Sequence, residues 1–416
     1  MTEFDSSRVL NLARRLSFPR FAGSEGEARA RELIVEELRS SGYEPALEEF
    51  ETLTFKIDRA ELRVLKPWTA DVECAGVGFS GSTPESGVES EVRYVETGER
   101  LLLPEEGYIL LLSRMPKLEG YKRIMKSKPV GLLVAEGSPH RGLSHVALMP
   151  GWRKHGSAPM LRIRFRDAHR ILEAGGVRAR LTLIQNEWKA KCYNVVVERR
   201  GWKYPDEVVV VCAHYDTVYG VPGVIDNACG TALALELARL FSGRRVKRTV
   251  RFILFSAEEL GLRGSQAYVE KHKDQLENVK MVINLDVHGG ALGSNDAIVT
   301  GPAQVKPYLE VLSRELGVNL SVREDVMGSD GTPFAKVGVP VVNFSRSSGA
   351  SAGTHSVGDD GKFVGVWAFE SMKPLLLKFL NLLTESEEFP FPREVPEGLK
   401  KKITEFFKML GLEGEE

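Results

Sequence analysis

The sequence has few cysteines, almost no net charge and no long apolar run, and each of these absences excludes a class of protein. Its 416 residues include four cysteines and no CxxC pair, so a disulfide framework of the secreted kind is excluded. The 56 Lys and Arg residues balance 57 Asp and Glu residues to a net charge of −1. That balance argues against a protein that neutralises nucleic-acid phosphates or anionic lipid. The longest purely apolar run, 208–213, is far shorter than the roughly 20 residues of a membrane-spanning helix. We therefore expect neither a nucleic-acid partner nor a membrane span.

The first residues, MTEFDSSRVLNLARR, are charged or polar where a secretion signal needs an apolar segment. Together with the low cysteine content, this pattern predicts a cytoplasmic protein.

The chain is too long for one core, because cores stop growing near about 250 to 300 residues. A Gly/Ser-rich break, GVGFSGSTPESG, follows a strand-like stretch and predicts the entry to an inserted unit. The predicted organisation is 1–65 as the N-terminal part of a main domain, 66–188 as a β-rich insertion, 189–385 as the rest of the main domain, and 386–416 as a Pro-rich linker with an amphipathic helix.

After residue 190, short apolar runs alternate with helical patterns. The predicted strands are 207–213, 249–255, 279–285 and 339–344, and the predicted helices are 229–241, 265–272, 304–316 and 362–383. This alternation predicts an α/β fold with a mixed, mostly parallel sheet sandwiched by helices.

Polar clusters follow these strands at the points where they end. They contain His214 and Asp216, then Asp226, Glu258 and Glu259, Asp286 and His288, and finally His355. Because the carboxyl ends of strands line the ligand crevice of open α/β sheets, we expect these groups to converge. Imidazole and carboxylate are the ligands that zinc and similar ions take, so the pattern indicates a metal site.

The ligand inventory suits a pair of divalent cations. Two such ions about 3.5 to 4 Å apart need a bridging carboxylate and terminal ligands on each side. Two neutral imidazoles and three carboxylates would leave the pair of divalent cations with one positive charge. A bound hydroxide cancels that charge, and this hydroxide is the natural nucleophile. Adjacent Glu258 and Glu259 cannot point at the same atom, so one can bind metal while the other acts as general base. Asp216, two residues after His214, suits a carboxylate that accepts the free imidazole N–H.

The segments HYDT, GVIDNACGTA, SAEELGLRGS, NLD and GTHS resemble those of metallopeptidase family 28. This family includes co-catalytic di-zinc aminopeptidases and glutamate carboxypeptidases, and the resemblance covers 190–385 and the N-terminal PRFAGSEGEARARELI. It implies the zinc exopeptidase fold and a peptide substrate whose N-terminal residue is hydrolysed by a metal-bridging hydroxide.

The resemblance also implies a role for each matching residue. Asp226 is expected to bridge the ions, with His214 and Asp286 on one ion and Glu259 and His355 on the other. Glu258 is expected to act as the general base, with Asp216 as a supporting catalytic residue. The expected cofactors are two Zn²⁺ ions, with Co²⁺ or Mn²⁺ as substitutes.

Three alternatives remain open within this fold. A carboxypeptidase of the glutamate carboxypeptidase type, a non-catalytic receptor-like relative and a glutaminyl cyclase variant all share it. A homo-oligomer is a further open alternative. The insertion at 66–188 resembles a protease-associated (PA) domain, which shapes substrate access in similar enzymes.

The chain departs from the family pattern at three points. Thr354 stands where relatives often carry an oxyanion-stabilising Tyr, so the candidates for that task are the metals or a neighbour such as Tyr215 or His288. Asp330, in SDGTPF, is either a site residue or a helix N-cap. Arg346 is either a ligand for a substrate carboxylate or a solvated loop residue.

Three weaker patterns do not change this interpretation. Residues 349–353 match GxSxG, but a nucleophile elbow needs its Ser directly between strand and helix, and no helix is predicted to follow. His140, His145 and His155 lack carboxylates at ligand spacing and are expected in surface loops. Cys229 is expected to be a buried thiol rather than a nucleophile.

Overall fold

The computed structural model describes residues 3–99 and 106–412. It divides the chain into two compact units, which are described separately. The first consists of the residues up to Thr52 with Ala190–Thr354 and Asp359–Phe406. The second consists of Leu53–Lys189, His355–Gly358 and the described residues from Phe407 onward.

The described residues form helices and strands with the following bounds. The α-helices are α1 (Ser6–Arg15), α2 (Glu25–Ser40), α3 (Leu118–Lys126), α4 (Phe165–Ala174), α5 (Cys229–Ser242), α6 (Arg263–Lys271), α7 (Val305–Glu315), α8 (Gly331–Lys336), α9 (Val366–Glu385) and α10 (Glu397–Leu410). The strands are β1 (Ala46–Lys66), β2 (Ala70–Val72), β3 (Cys74–Gly76), β4 (Val88–Tyr94), β5 (Ile109–Leu112), β6 (Gly131–Ala135), β7 (Met160–Ile163), β8 (Arg178–Arg199), β9 (Tyr204–His214), β10 (Arg248–Phe255), β11 (Val279–Leu285), β12 (Gly293–Thr300), β13 (Leu320–Glu324) and β14 (Val341–Ser348).

The first unit contains the predicted mixed sheet. Its strand order is β13-β12-β14-β11-β9-β10-β8. The pairs β13–β12, β14–β11, β11–β9 and β9–β10 are parallel, and the pairs β12–β14 and β10–β8 are antiparallel. The prediction of a mostly parallel sheet is therefore confirmed.

Helices cover both faces of this sheet, as the apolar character of its strands requires. Successive strand residues point to opposite faces. Val209 and Val211 belong to the core that also includes side chains of α1, α5 and α9. On the other face, the Phe255 ring packs 5.9 Å from Tyr268 of α6 and 6.2 Å from Phe334 of α8.

The second unit is a smaller α/β layer. Its strand order is β8-β4-β5-β6-β7-β3, and the pairs from β4 to β7 are parallel. Its buried core includes Leu111, Leu133, Leu161 and Ile171. That this unit is a protease-associated domain stays a prediction.

Two features of the main domain differ from the sequence pattern. Strands β12 and β13 were not predicted, because their residues GSNDAIVT and LSVRE mix polar and apolar side chains at the edge of the sheet. The predicted boundary at 188 falls inside the continuous strand β8. Among the described residues, no helix combines the length and apolar character needed to span a bilayer.

Candidate metal centre

The sheet brings the polar clusters of three adjacent strands to one edge. His214 is the last residue of β9 and pairs in register with Phe255, the last residue of β10. Glu258 follows β10 after a short turn, and Asp286 directly follows β11. Because these strands are parallel and adjacent, their carboxyl ends meet, as predicted.

A first group of potential metal ligands consists of His214, Glu258 and Asp286, whose ligand atoms lie within 4.8 Å of one another. The His214 Nε2 atom is 3.2 Å from Asp286 Oδ1 and 3.2 Å from Asp226 Oδ1. His214 is 1% exposed and Asp226 is 8% exposed. Two carboxylates therefore face the same imidazole nitrogen in a nearly dry environment.

A second group of potential ligands includes Asp226 and Glu259 of the same unit. Asp226 belongs to this group and also approaches His214 of the first group. His355 has a left-handed φ of 61°, and its carbonyl accepts a 2.6 Å hydrogen bond from the N–H of His145. Four of the five predicted ligands thus lie in the first unit, and His355 belongs to the second.

Asp216 connects the two glutamates rather than the imidazole. Its Oδ1 accepts the N–H of Glu258 at 3.0 Å, and its Oδ2 accepts the N–H of Glu259 at 3.2 Å. The His214 Nδ1 atom is 3.6 Å from Asp216 Oδ1, which exceeds hydrogen-bond length. The fully buried Asp216 carboxylate therefore orients the turn that carries both glutamates, and the sequence did not indicate that contact.

The charges of this cluster call for cations. Burial raises the pKa of Glu258 well above its ordinary value, and Glu259 and Asp286 add to the rise while His214 opposes it. Burial alone would lower the pKa of His214, but Glu258 and Asp286 outweigh it and raise that pKa well above the ordinary value. Imidazole and carboxylate at this spacing are the donors that zinc takes. The residues therefore fit divalent cations by their chemistry and by their charge.

Asp330 is buried close to these groups without being one of the ligands. Neither carboxylate oxygen has a hydrogen-bond partner among the described residues, and the side chain does not cap α8. Burial raises its pKa to about 7, although His214 opposes the shift. The neighbouring Ser329 donates a 2.6 Å hydrogen bond to Asp286 Oδ2 and was missed, because a serine before an Asp in a loop has no distinctive pattern.

The two side chains that are candidates for oxyanion stabilisation have other partners. The Tyr215 hydroxyl is fully buried and bonds to Glu27 and to the carbonyl of Tyr193. The His288 Nε2 atom lies 2.8 Å from the carbonyl of Phe344, and burial lowers the pKa of His288 to about 4. Neither side chain is available for a substrate in this arrangement.

Arg346 is neither a substrate ligand nor a solvated loop residue. It lies on β14, is 3% exposed, and donates to the carbonyl of Gly290 and to Asn295 Oδ1, both at 2.7 Å. Its guanidinium therefore holds the loop after β11 against β12, and it has no group free to bind a terminal carboxylate.

The other sequence patterns carry no site among the residues that the structure describes. His140, His145 and His155 occur in neither ligand group. Ser351 of the GxSxG match lies in a short 3₁₀ segment, where its hydroxyl contacts Ser348 Oγ at 3.1 Å. Cys229 is fully buried, and burial raises the pKa of its thiol.

Comparison with known proteins agrees with this geometry. Residues 194–379 match the sequence model of peptidase family M28. Carboxypeptidase Q of Bos taurus is 27% identical over 342 residues, which cover 76% of this chain and 70% of that protein. Aminopeptidase YwaD of Bacillus subtilis is 25% identical over 335 residues, which cover 78% of this chain and 72% of that protein.

Solved structures share the fold. The zinc aminopeptidase BSAP from Bacillus subtilis superposes with a TM-score of 0.77 at 21% identity, covering 96% of this chain and 100% of that one. The matched stretch 194–379 contains both ligand groups, and relatives cover most of the chain. Over 194–379, the chain is therefore similar to peptidase family M28.

Proposed function

We propose that this protein is a zinc-dependent exopeptidase that removes N-terminal residues from peptides and that it uses two metal ions. The observation that carries the proposal is the set of potential ligands within the first unit, His214, Glu258 and Asp286 in one group and Asp226 and Glu259 in another. The first group lies wholly within the main sheet domain. Similar proteins named as aminopeptidase and as carboxypeptidase support a peptidase.

The proposed ligand assignment follows the geometry. His214 and Asp286 would hold one ion, Glu259 and His355 the other, and Asp226 both, since its carboxylate faces His214 at 3.2 Å. When bound, the ions supply Lewis-acid activation of the scissile carbonyl and of water. Ser329 would fix the orientation of Asp286 through the hydrogen bond to Oδ2, as supporting residues around metal ligands do.

Glu258 is the residue that we assign to proton transfer. Its carboxylate accepts a proton from the attacking water and later gives that proton to the leaving amine. Its backbone N–H is held by Asp216, so the carboxylate is presented from a fixed turn. Its burial among other acids raises its pKa, and cations in the adjacent groups would oppose that rise.

The charge of the site favours the N-terminus of a peptide over its C-terminus. A carboxypeptidase needs a cation to bind the terminal carboxylate, and the candidate Arg346 is buried and already bonded to Gly290 and Asn295. An aminopeptidase needs acceptors for a terminal ammonium. Glu258 is partly exposed and is an acid beyond those that the proposed ions need, so its carboxylate suits a cationic end.

A peptide series tests the substrate assignment. One tripeptide is supplied free, N-acetylated or C-amidated to the zinc-loaded protein, and products are followed by mass spectrometry. We expect cleavage of the free and C-amidated forms and none of the N-acetylated form. Cleavage of only the N-acetylated and free forms would establish a carboxypeptidase instead.

A second peptide separates the remaining alternatives. From a peptide that begins with glutamine, a cyclase would release ammonia, whereas an aminopeptidase would release the glutamine residue. No turnover of any peptide by protein that carries bound zinc would indicate a non-catalytic relative. The cytoplasmic location, the homo-oligomer and the protease-associated nature of the insertion remain proposals from the sequence.

A further inference from the structure

Arg20 is a buried cation whose hydrogen bonds end on backbone carbonyls. It is 0% exposed, and its guanidinium donates to the carbonyls of five residues. These are Tyr215 at 2.7 Å, Phe18 at 2.9 Å, Pro222 at 2.6 Å, Gly223 at 2.9 Å and Leu16. Burial lowers its pKa to about 10, with nearby carboxylates opposing, so it stays charged at neutral pH.

Three of these carbonyls belong to one loop, the segment 215–225 between two proposed metal ligands. Tyr215 directly follows His214, and Gly223 lies three residues before Asp226. The backbone N–H of Arg20 also donates to Thr217 Oγ1 at 3.0 Å. Arg20 therefore contacts this loop near both of its ends and within it.

The end of the loop next to Asp226 is also held by another buried charge. Asp359 is 1% exposed, and its carboxylate accepts the N–H of Ile225 at 2.7 Å and of Asp226 at 3.0 Å. Gly223 permits the turn between, because its φ is 56° and an added Cβ would lie 2.4 Å from the carbonyl oxygen of Asp226. The backbone of Asp226 thus has its N–H fixed by Asp359 and its preceding turn fixed by Arg20.

We propose that Arg20 is a positioning residue for the metal centre, which acts by holding the loop 215–225 so that Asp226 is oriented toward both ions. Arg20 does not touch the ions or the substrate. Its planar guanidinium has five N–H donors in a fixed geometry, and a lysine has three donors on a flexible stem. The inference rests on the proposed function, because it assigns Asp226 to both ions.

The chain offers a matched control in Arg248. This residue is also buried, at 1% exposure, and donates to Glu207 and to the carbonyls of Ser386 and Glu387. Arg248 is the first residue of β10, whereas the metal cluster follows the last residue of that strand. The two ends of the strand are seven residues apart, which is about 23 Å at 3.3 Å per residue. Arg248→Lys should therefore disturb the fold without reaching the ligands.

In the experiment, the full chain is treated with a chelator and then titrated with zinc, and isothermal calorimetry measures the binding. Wild type is expected to bind two ions. Arg20→Lys should bind at least one of them tenfold or more weakly, whereas Arg248→Lys should bind both within twofold of wild type. A thermal melt measures the stability of each variant. A merely structural role of Arg20 would produce a loss of stability in both variants.

Two outcomes would overturn the inference: Arg20→Lys with wild-type zinc affinities, or Arg248→Lys with an equal loss of affinity. If Arg20→Lys does not fold, Asp359→Asn decides. Asparagine keeps the shape, but the two N–H groups bond to different carboxylate oxygens, and asparagine replaces one of these oxygens by an NH2 donor. It should weaken zinc binding tenfold or more, and wild-type affinity would overturn the two-sided clamp. A wild-type chain that binds no zinc would instead refute the proposed function.

Discussion

Replacement of Glu258 by glutamine tests the proposed proton transfer while it preserves the shape of the side chain. The backbone N–H of residue 258 is bonded to Asp216 at 3.0 Å, so glutamine should occupy the same position. Proton transfer by a positioned side chain contributes about 10²- to 10⁴-fold to rate. At about 1.36 kcal/mol per decade, this corresponds to a barrier rise of about 2.7 to 5.4 kcal/mol.

The assay is steady-state hydrolysis of an N-terminal residue from a chromogenic amide by zinc-loaded protein. We expect kcat to fall at least a hundredfold, with two zinc ions retained per chain by elemental analysis. The reasoning would be refuted by a variant that holds both ions and keeps more than a tenth of wild-type kcat.

A matched control is available in Glu236, a fully buried glutamate of the same unit. It is 0% exposed, and it accepts hydrogen bonds from Arg239 and from the N–H of Asp5. Glu236→Gln should lower the melting temperature and leave kcat within about twofold of wild type, since one buried hydrogen bond to a charge is worth about 1.5 to 3 kcal/mol. An equal kcat loss in both variants would show that stability, and not proton transfer, explains the result.

Three further predictions concern metal, pH and packing. Chelation should lower the melting temperature and zinc should restore it, because a ligand at 100 times its Kd stabilises by about 2.7 kcal/mol; an unchanged melt would contradict bound metal. Burial alone would raise the pKa of Glu136, but Ser144 and Arg162 outweigh it and lower that pKa. The stabilisation by Glu136 is therefore present above its unfolded pKa of about 4.3 and is lost as pH falls through its folded pKa. The stability gap between wild type and Glu136→Gln in urea melts should shrink below that pH, and a constant gap would contradict the assignment. Leu375→Ala should cost about 2 to 5 kcal/mol, because Leu375 is 0% exposed, whereas Leu377→Ala on the half-buried face of α9 should cost clearly less in the same melts.

The sequence predicted the sheet and the convergence of the polar clusters because both depend on local patterns. Apolar runs such as 208–213 mark strands buried on both faces, and parallel neighbours place their carboxyl ends together. His214, Asp286 and Glu258 therefore met at one edge. Knowledge of strand ends was sufficient for this part of the site.

The partners of individual side chains could not be predicted, because they come from distant parts of the chain. The sequence made Tyr215 a candidate for oxyanion stabilisation, but in the structure its hydroxyl donates a hydrogen bond to Glu27, which is 188 residues away. The sequence placed Arg346 in a loop, but in the structure it lies on β14, which extends to Ser348. Its acceptors lie more than 50 residues away, on the loop after β11 and on β12.

The residues that orient the site were the hardest to find from sequence. Asp359 binds two backbone N–H groups near residue 226, yet it stands beside Asp360 in a loop of ordinary composition. Arg20 lies in the N-terminal segment that resembles the family, but its five carbonyl acceptors become visible only in the fold. Such contacts follow from burial and chain geometry, which residue types alone do not encode.

The central claim is that peptide cleavage depends on metal bound at Asp226 and its neighbours, and one titration tests it most directly. Zinc is added stepwise to chelator-treated protein while the release of an N-terminal residue is measured. The account predicts less than 1% of full activity without metal and a plateau near two equivalents of zinc. Full activity in the metal-free protein, or the absence of any zinc binding, would contradict it.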